Sequence, residues 1–175
     1  MTLPAQYAWL EREPAPRMLL EGLKLYGTLE APGQASNPTI MAWAQETGLR
    51  NVYTADSVAW CGLFMAVVAK RAGKPMAEGP LWALNWGKWG QNGGQPELGD
   101  VLTFVRPGGG HVGLYVGEDQ AAYHVLGGNQ SDAVTITRID KDRLRACRQF
   151  FAAGKPANVR PVILRPNGVL SVNEA

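Results

Sequence analysis

Long hydrophobic runs are missing from this 175-residue chain: the longest, Trp60 to Ala69, is ten residues and stops at Lys70-Arg71. That is about half of the roughly 20 residues needed to span a bilayer, so no membrane insertion is expected. The opening stretch, MTLPAQYAWLEREPAPR, has no basic start followed by an apolar segment, so no secretory signal is expected. Synthesis in the cytoplasm follows, with any export by another route. Charge of one sign is scarce as well. Lys and Arg number 17 against 15 Asp and Glu, and the formal charge of +2 is scattered rather than gathered into basic blocks. Nucleic acid is therefore not an expected partner. Only two cysteines, Cys61 and Cys147, are present, too few for a disulfide framework, and only two histidines, His111 and His124.

What is plentiful is apolar side chains, at 46%, together with 21 glycines and 12 prolines, the balance of a globular chain with well-punctuated loops. Neither a repeat nor a linker divides it, so a single domain over residues 1–166 is expected, followed by a loose tail over 167–175. Pro16 to Tyr26 reads as a helix stopped by Gly27. Asn37-Pro38 supplies an N-cap and a first-turn proline for a second helix, closed by Thr47-Gly48. Trp60 to Arg71 is apolar nearly all round and predicts a buried third helix. Pro80 opens a fourth, with Trp82, Trp86 and Trp89 at i, i+4 and i+7. Beyond Gly99 the texture changes to short β-rich runs at 100–105, 111–117, 121–126 and 133–139, with further strands expected near 147–151 and 159–164. Helices followed by antiparallel strands make the α+β class.

Few residues in this inventory can do chemistry. Cys61 starts the buried helix just after a polar loop, Tyr53 to Ser57. A helix N-terminus favours thiolate, and its unpaired N–H groups suit an oxyanion. A small hydrophobe in a core helix is the other reading. His111 follows Pro107-Gly-Gly-Gly110, a run that leaves a ring accessible as a general base; a structural strand-end histidine is the alternative. Asn129, after Gly127-Gly128, could orient an imidazole, or simply form a turn. His124 reads as packed inside a strand and Cys147 as a half-buried strand residue. Separations of 50, 13 and 23 residues among Cys61, His111, His124 and Cys147 match no compact zinc-ligand pair, so neither metal nor other cofactor is expected.

Taken together, Trp60-Cys61 opening a helix, Leu98-Gly-Asp-Val101 and Gly110-His-Val-Gly113 followed by Tyr115-Val-Gly117 resemble papain-like cell-wall hydrolases of the NlpC-type and CHAP (cysteine, histidine-dependent amidohydrolase/peptidase) group. A phage-associated bacterial branch is closest, on Glu30-Ala-Pro-Gly33 with Asn37-Pro38, Trp86-x-x-Trp89-Gly90, and Val125-Leu-Gly-Gly-Asn-Gln-Ser-Asp-Ala-Val134. The similarity runs from about Arg17 to Phe151. It implies a papain-like fold, with the cysteine helix packed on a small antiparallel sheet, and a bacteriolytic cysteine peptidase acting on peptidoglycan. Cys61 would be nucleophile, His111 base and Asn129 the orienting third residue, with Asp56 next in line for that role. Trp60, Asp56, Trp86 and Trp89 would line the substrate. The bond implied is D-glutamyl to diamino acid; a muramoyl-alanine amidase, or a non-catalytic wall-binding or virion module, are the alternatives. Holin release, virion delivery or specialised secretion would bring such a protein to the wall, with the delivery machinery or an immunity protein as its protein partners. One departure is Gly62, where serine often follows the family cysteine.

Overall fold

A computed structural model describes residues 2–172. It is α+β: α1 (Arg17–Leu23), α2 (Pro38–Thr47) and α3 (Cys61–Arg71) precede all six strands of an antiparallel sheet. The strands are β1 (Gln91–Asn92), β2 (Val101–Arg106), β3 (Gly109–Glu118), β4 (Ala122–Gly127), β5 (Thr135–Asp140) and β6 (Leu144–Gln149), arranged in the order β1-β6-β2-β3-β4-β5. Three 3₁₀ segments complete the order, at Ala5–Arg12, Ala83–Lys88 and Lys141–Arg143. No helix among the described residues is long and apolar enough to cross a membrane.

Local chemistry explains the helix ends. The Asn37 side chain accepts from the Thr39 N–H at 2.7 Å, Pro38 fills the first turn, and Gly48 ends α2 with φ of 78°. In α3 every residue from Cys61 to Ala69 is buried, as an all-round apolar helix requires. One face of the sheet packs against this helix through Val101, Val112, Leu114, Val116 and Leu126. The opposite face carries a second cluster, built on Leu102, Phe104, Tyr115, Val125 and Ile139.

Several elements differ from the sequence expectation. The fourth helix is only the 3₁₀ segment Ala83–Lys88, because the Trp86 and Trp89 rings turn inward to donate to the Pro80 and Pro75 carbonyls at 2.9 and 2.8 Å. Residues 159–164 form no strand: Pro161 interrupts the run, leaving one parallel bridge between Glu118 and Ile163. An N-terminal 3₁₀ segment stands where no element was expected, bracketed by prolines that disguise its period. It is anchored by Tyr7 Oη, 2.6 Å from His124 Nδ1, while His124 Nε2 lies 2.8 Å from Asp119 and Asp119 binds Arg138 at 2.7 Å. His124 is thus packed within a strand, as expected, and its role there is structural. Of the tail expected to be loose, Gly168 O and Ser171 N are tied to Arg138, and 173–175 lie outside the described residues.

Asp100 sits in the core at β2's start, accepting from the Glu97 N–H at 3.0 Å and the Cys147 thiol at 3.3 Å. Burial raises its carboxyl from 3.8 to about 6. Its contribution to stability is complete below the unfolded value and is lost as pH rises through the folded one, between pH ~4 and ~6. Asp100→Asn cannot titrate. Urea unfolding should therefore show the variant gaining on the wild type by on the order of 1–3 kcal/mol between pH 4 and pH 8. An equal difference at both pH values would contradict this account.

Candidate functional site

Register positions the candidate nucleophile. β3 pairs with β2 along residues 101–106, but with β4 only from Leu114 onward, where it faces Leu126. Residues 109–113 of β3 therefore have β2 alone as a strand neighbour, and the start of α3 lies against this unpaired edge. There the N–H of Val112, next to His111, acts on the Cys61 sulfur together with the N–H groups of Gly62 and Cys61 itself. Gly62 is required by close approach: a Cβ would come within 2.4 Å of Pro80 O and 2.5 Å of Leu81 O. The segment crossing over α3 at this point leaves no room for a side chain there.

Cys61 is only 3% exposed. Burial pushes its thiol pKa up, and this outweighs the opposing pull of the three backbone N–H groups and the Arg106 charge. The direction is opposite to the thiolate expected at a helix start, because desolvation at a closed helix start opposes what the helix N–H groups favour. Cys147 is raised too, first by burial and then by Asp100.

His111 is fully buried, whereas the glycine run before it was expected to leave the ring open. Its Nε2 lies 3.0 Å from Gln130 Oε1. The amide of Gln130 can point only one way, since its Nε2 donates to Thr135 O at 2.7 Å and to Val125 O at 3.3 Å. Oε1 therefore faces the imidazole and accepts, so the neutral ring carries its proton on Nε2 and its lone pair on Nδ1. Gly127 makes the pair possible, since a Cβ there would meet Gln130 Oε1 at 2.7 Å and His111 Nε2 at 3.1 Å.

The amide that meets the His111 ring is thus that of Gln130, where Asn129 was expected. The two are adjacent, and the conformation of the turn decides between them: Asn129, Ser131 and Asp132 all have positive φ, at 58°, 51° and 59°. This is a strained run for non-glycine residues, costing about 1 kcal/mol or more each. It swings Gln130 toward the histidine, while the Asn129 side-chain oxygen is buried without a hydrogen-bond partner among the described residues. The turn is held from outside: Glu30 N donates to Asp132 O at 2.7 Å and Val134 N to Thr28 O at 2.8 Å.

Asp56 and Trp60 belong to the same scaffold. Asp56 accepts from Ala31 N at 2.9 Å and Asn37 N at 2.7 Å, clamping the loop that braces the turn. Trp60 Nε1 donates to Glu30 Oε2 at 2.9 Å, tying that loop to the start of α3. Both residues are fully buried, as is Trp86, and Trp89 is nearly so. None of the four lines the cleft at Cys61. That cleft, about 160 Å³, is bounded by Ala59, Leu81, Trp82 and Ala83 on one side and by Arg106 and Gly108–Gly110 on the other. Its aromatic residue is Trp82, 64% exposed. The i, i+4, i+7 spacing grouped all three tryptophans, but the 3₁₀ geometry separates Trp82 from the other two. No signal in the sequence singled out Arg106.

Among the described residues, no three His, Cys, Asp or Glu side chains group as metal ligands. The N–H of Val112, the residue after His111, reaches the Cys61 sulfur, whereas His124 binds Tyr7 and Asp119, and Cys147 binds Asp100. No protein-family model, curated protein or solved structure matches the chain.

Proposed function

We propose that this chain is a papain-like thiol hydrolase of bacterial peptidoglycan that cleaves an amide of the stem peptide through a Cys61 thioester. What supports the reading is a cysteine at a helix start, opening on a cleft and reached by the N–H of Val112, together with the adjacent residue of that strand, a histidine whose Nε2 is bound by a fixed amide. With Nε2–H held by Gln130, Nδ1 is the nitrogen that takes the thiol proton as substrate enters. The Cys61 sulfur attacks the carbonyl carbon. N–H groups at the start of α3 stabilise the oxyanion, as such preorganised donors do. His111 passes the proton to the departing nitrogen as the C–N bond breaks. It then takes a proton from water, whose oxygen attacks the thioester and releases the carboxylic acid and the thiol. The raised thiol pKa fits this order, with the proton transferred during the reaction rather than lost beforehand.

The stem-peptide bond between D-glutamate and the diamino acid is the favoured target, by the resemblance to NlpC-type enzymes. Mass spectrometry of muropeptides from sacculi digested with the protein tests this. Fragments with new amino groups on the diamino acid, and no new reducing sugar ends, are expected. New reducing ends would mean a glycosidase and defeat the mechanism. New L-alanine amino termini would instead mean an amidase acting through the same residues.

A further inference from the structure

Arg106 stands at the end of β2, beyond the last residue of that strand paired with β6, and lines the Cys61 cleft opposite Leu81 and Trp82. Its Nε is buried without a hydrogen-bond partner among the described residues. The guanidinium enters none of the ion pairs among those residues, although Arg71, Arg138 and Arg160 each hold a carboxylate. No acidic side chain lines the cleft. A donor group left buried and unsatisfied is costly, and native proteins leave few of them. A guanidinium fork beside a reactive thiol, with no acid of its own, is complementary to a carboxylate brought by a ligand, which it can bind bidentately. The opposite wall is apolar and continues into a groove of about 410 Å³ lined by Val52, Val58 and Pro80 among others. The cleft therefore presents one cationic side and one apolar side to whatever reaches Cys61.

We infer that Arg106 is a specificity-determining residue: it binds a free carboxylate carried next to the scissile amide, so the preferred substrates are isoglutamyl-type linkages whose α-carboxylate is not amidated. This rests on the proposed hydrolase reading and names its substrate class. An isoglutamyl unit joins through its side-chain carboxyl and keeps its α-carboxylate free, one short chain away from the reacting carbonyl. Amidation replaces that anion by a neutral carboxamide, which can neither neutralise the guanidinium nor accept both of its parallel N–H groups.

Two synthetic peptides provide the test, L-alanyl-γ-D-glutamyl-diamino acid and its α-carboxamide counterpart. Binding is measured by calorimetry on folded Cys61→Ala protein, and turnover on the wild type. The carboxylate peptide should bind on the order of 10- to 100-fold more tightly than the carboxamide, as expected where a buried polar group would otherwise stay unpaired. Adding Arg106→Gln should bring the ratio near one, whereas Arg106→Lys, which keeps the charge but loses the fork, should fall between. Equal binding of the two peptides by the Arg106-containing protein, no binding of either, or a preference that survives Arg106→Gln would each overturn the inference. Carboxylate-selective binding without turnover would leave Arg106 standing and count against the hydrolase reading instead.

Discussion

Cys61→Ala is expected to abolish turnover on purified sacculi, by about 10⁴-fold or more, with the thermal midpoint nearly unchanged. No other nucleophile is available to replace it, since the cleft is otherwise lined by alanine, leucine, tryptophan, arginine and glycine. Removing one sulfur from a helix start leaves a small void and no unpaired charge, so the fold should persist. Labelling of the wild type should follow the raised thiol pKa. Iodoacetamide should modify Cys61 slowly at pH 7 and faster as pH rises, with activity lost in step, while Cys147 stays slower because Asp100 accepts from its thiol. Fast labelling at neutral pH would mean that the helix start overcomes burial after all. Residual lysis by folded Cys61→Ala would exclude the thioester.

The second large effect concerns His111 and the amide behind it. His111→Ala should lower kcat by about 10²- to 10⁴-fold, because both acylation and deacylation need its proton transfers. Gln130→Ala removes only the acceptor that fixes the ring's tautomer and orientation, and should cost about 10- to 100-fold with KM little changed. The informative control is Asn129→Gly, which tolerates the φ of 58° and deletes the side chain while keeping the Gln130 amide that binds the imidazole. It should retain activity within about threefold. A ranking in which Asn129→Gly is more damaging than Gln130→Ala, in folded proteins, would return the orienting role to Asn129.

Both predictions depend on neighbours whose roles no one-dimensional pattern could assign. Asn129 and Gln130 are each amide residues in one Gly-Gly-Asn-Gln stretch, and either could orient an imidazole by type. Which one reaches His111 is settled by positive φ angles on both sides of Gln130, at Asn129, Ser131 and Asp132, sustained by hydrogen bonds with residues 28 and 30, about a hundred positions earlier in the chain. Likewise Asp56 and Trp60, which the resemblance placed along the substrate, lie just before Cys61 in sequence. Their hydrogen bonds run instead to Ala31, Asn37 and Glu30, making them the frame around the site.

The sequence by itself determined the α+β order, the limits of α2 and the burial of α3, because these follow from caps, glycine stops and apolar period, all local quantities. It also singled out Cys61 and His111, the residues of rare type next to helix-start and glycine-turn signals. Tertiary structure decided what local pattern cannot encode: the protonation of Cys61, the partner of His111, and the lining of the cleft. A thiol at a helix start is pulled toward thiolate by its own helix and away from it by whatever closes over it. Here the closing surfaces are β3 and the segment through Pro80 and Leu81, which come from beyond α3 in the chain. Desolvation depends on three-dimensional proximity, so the direction of that balance could be read only once the chain had folded.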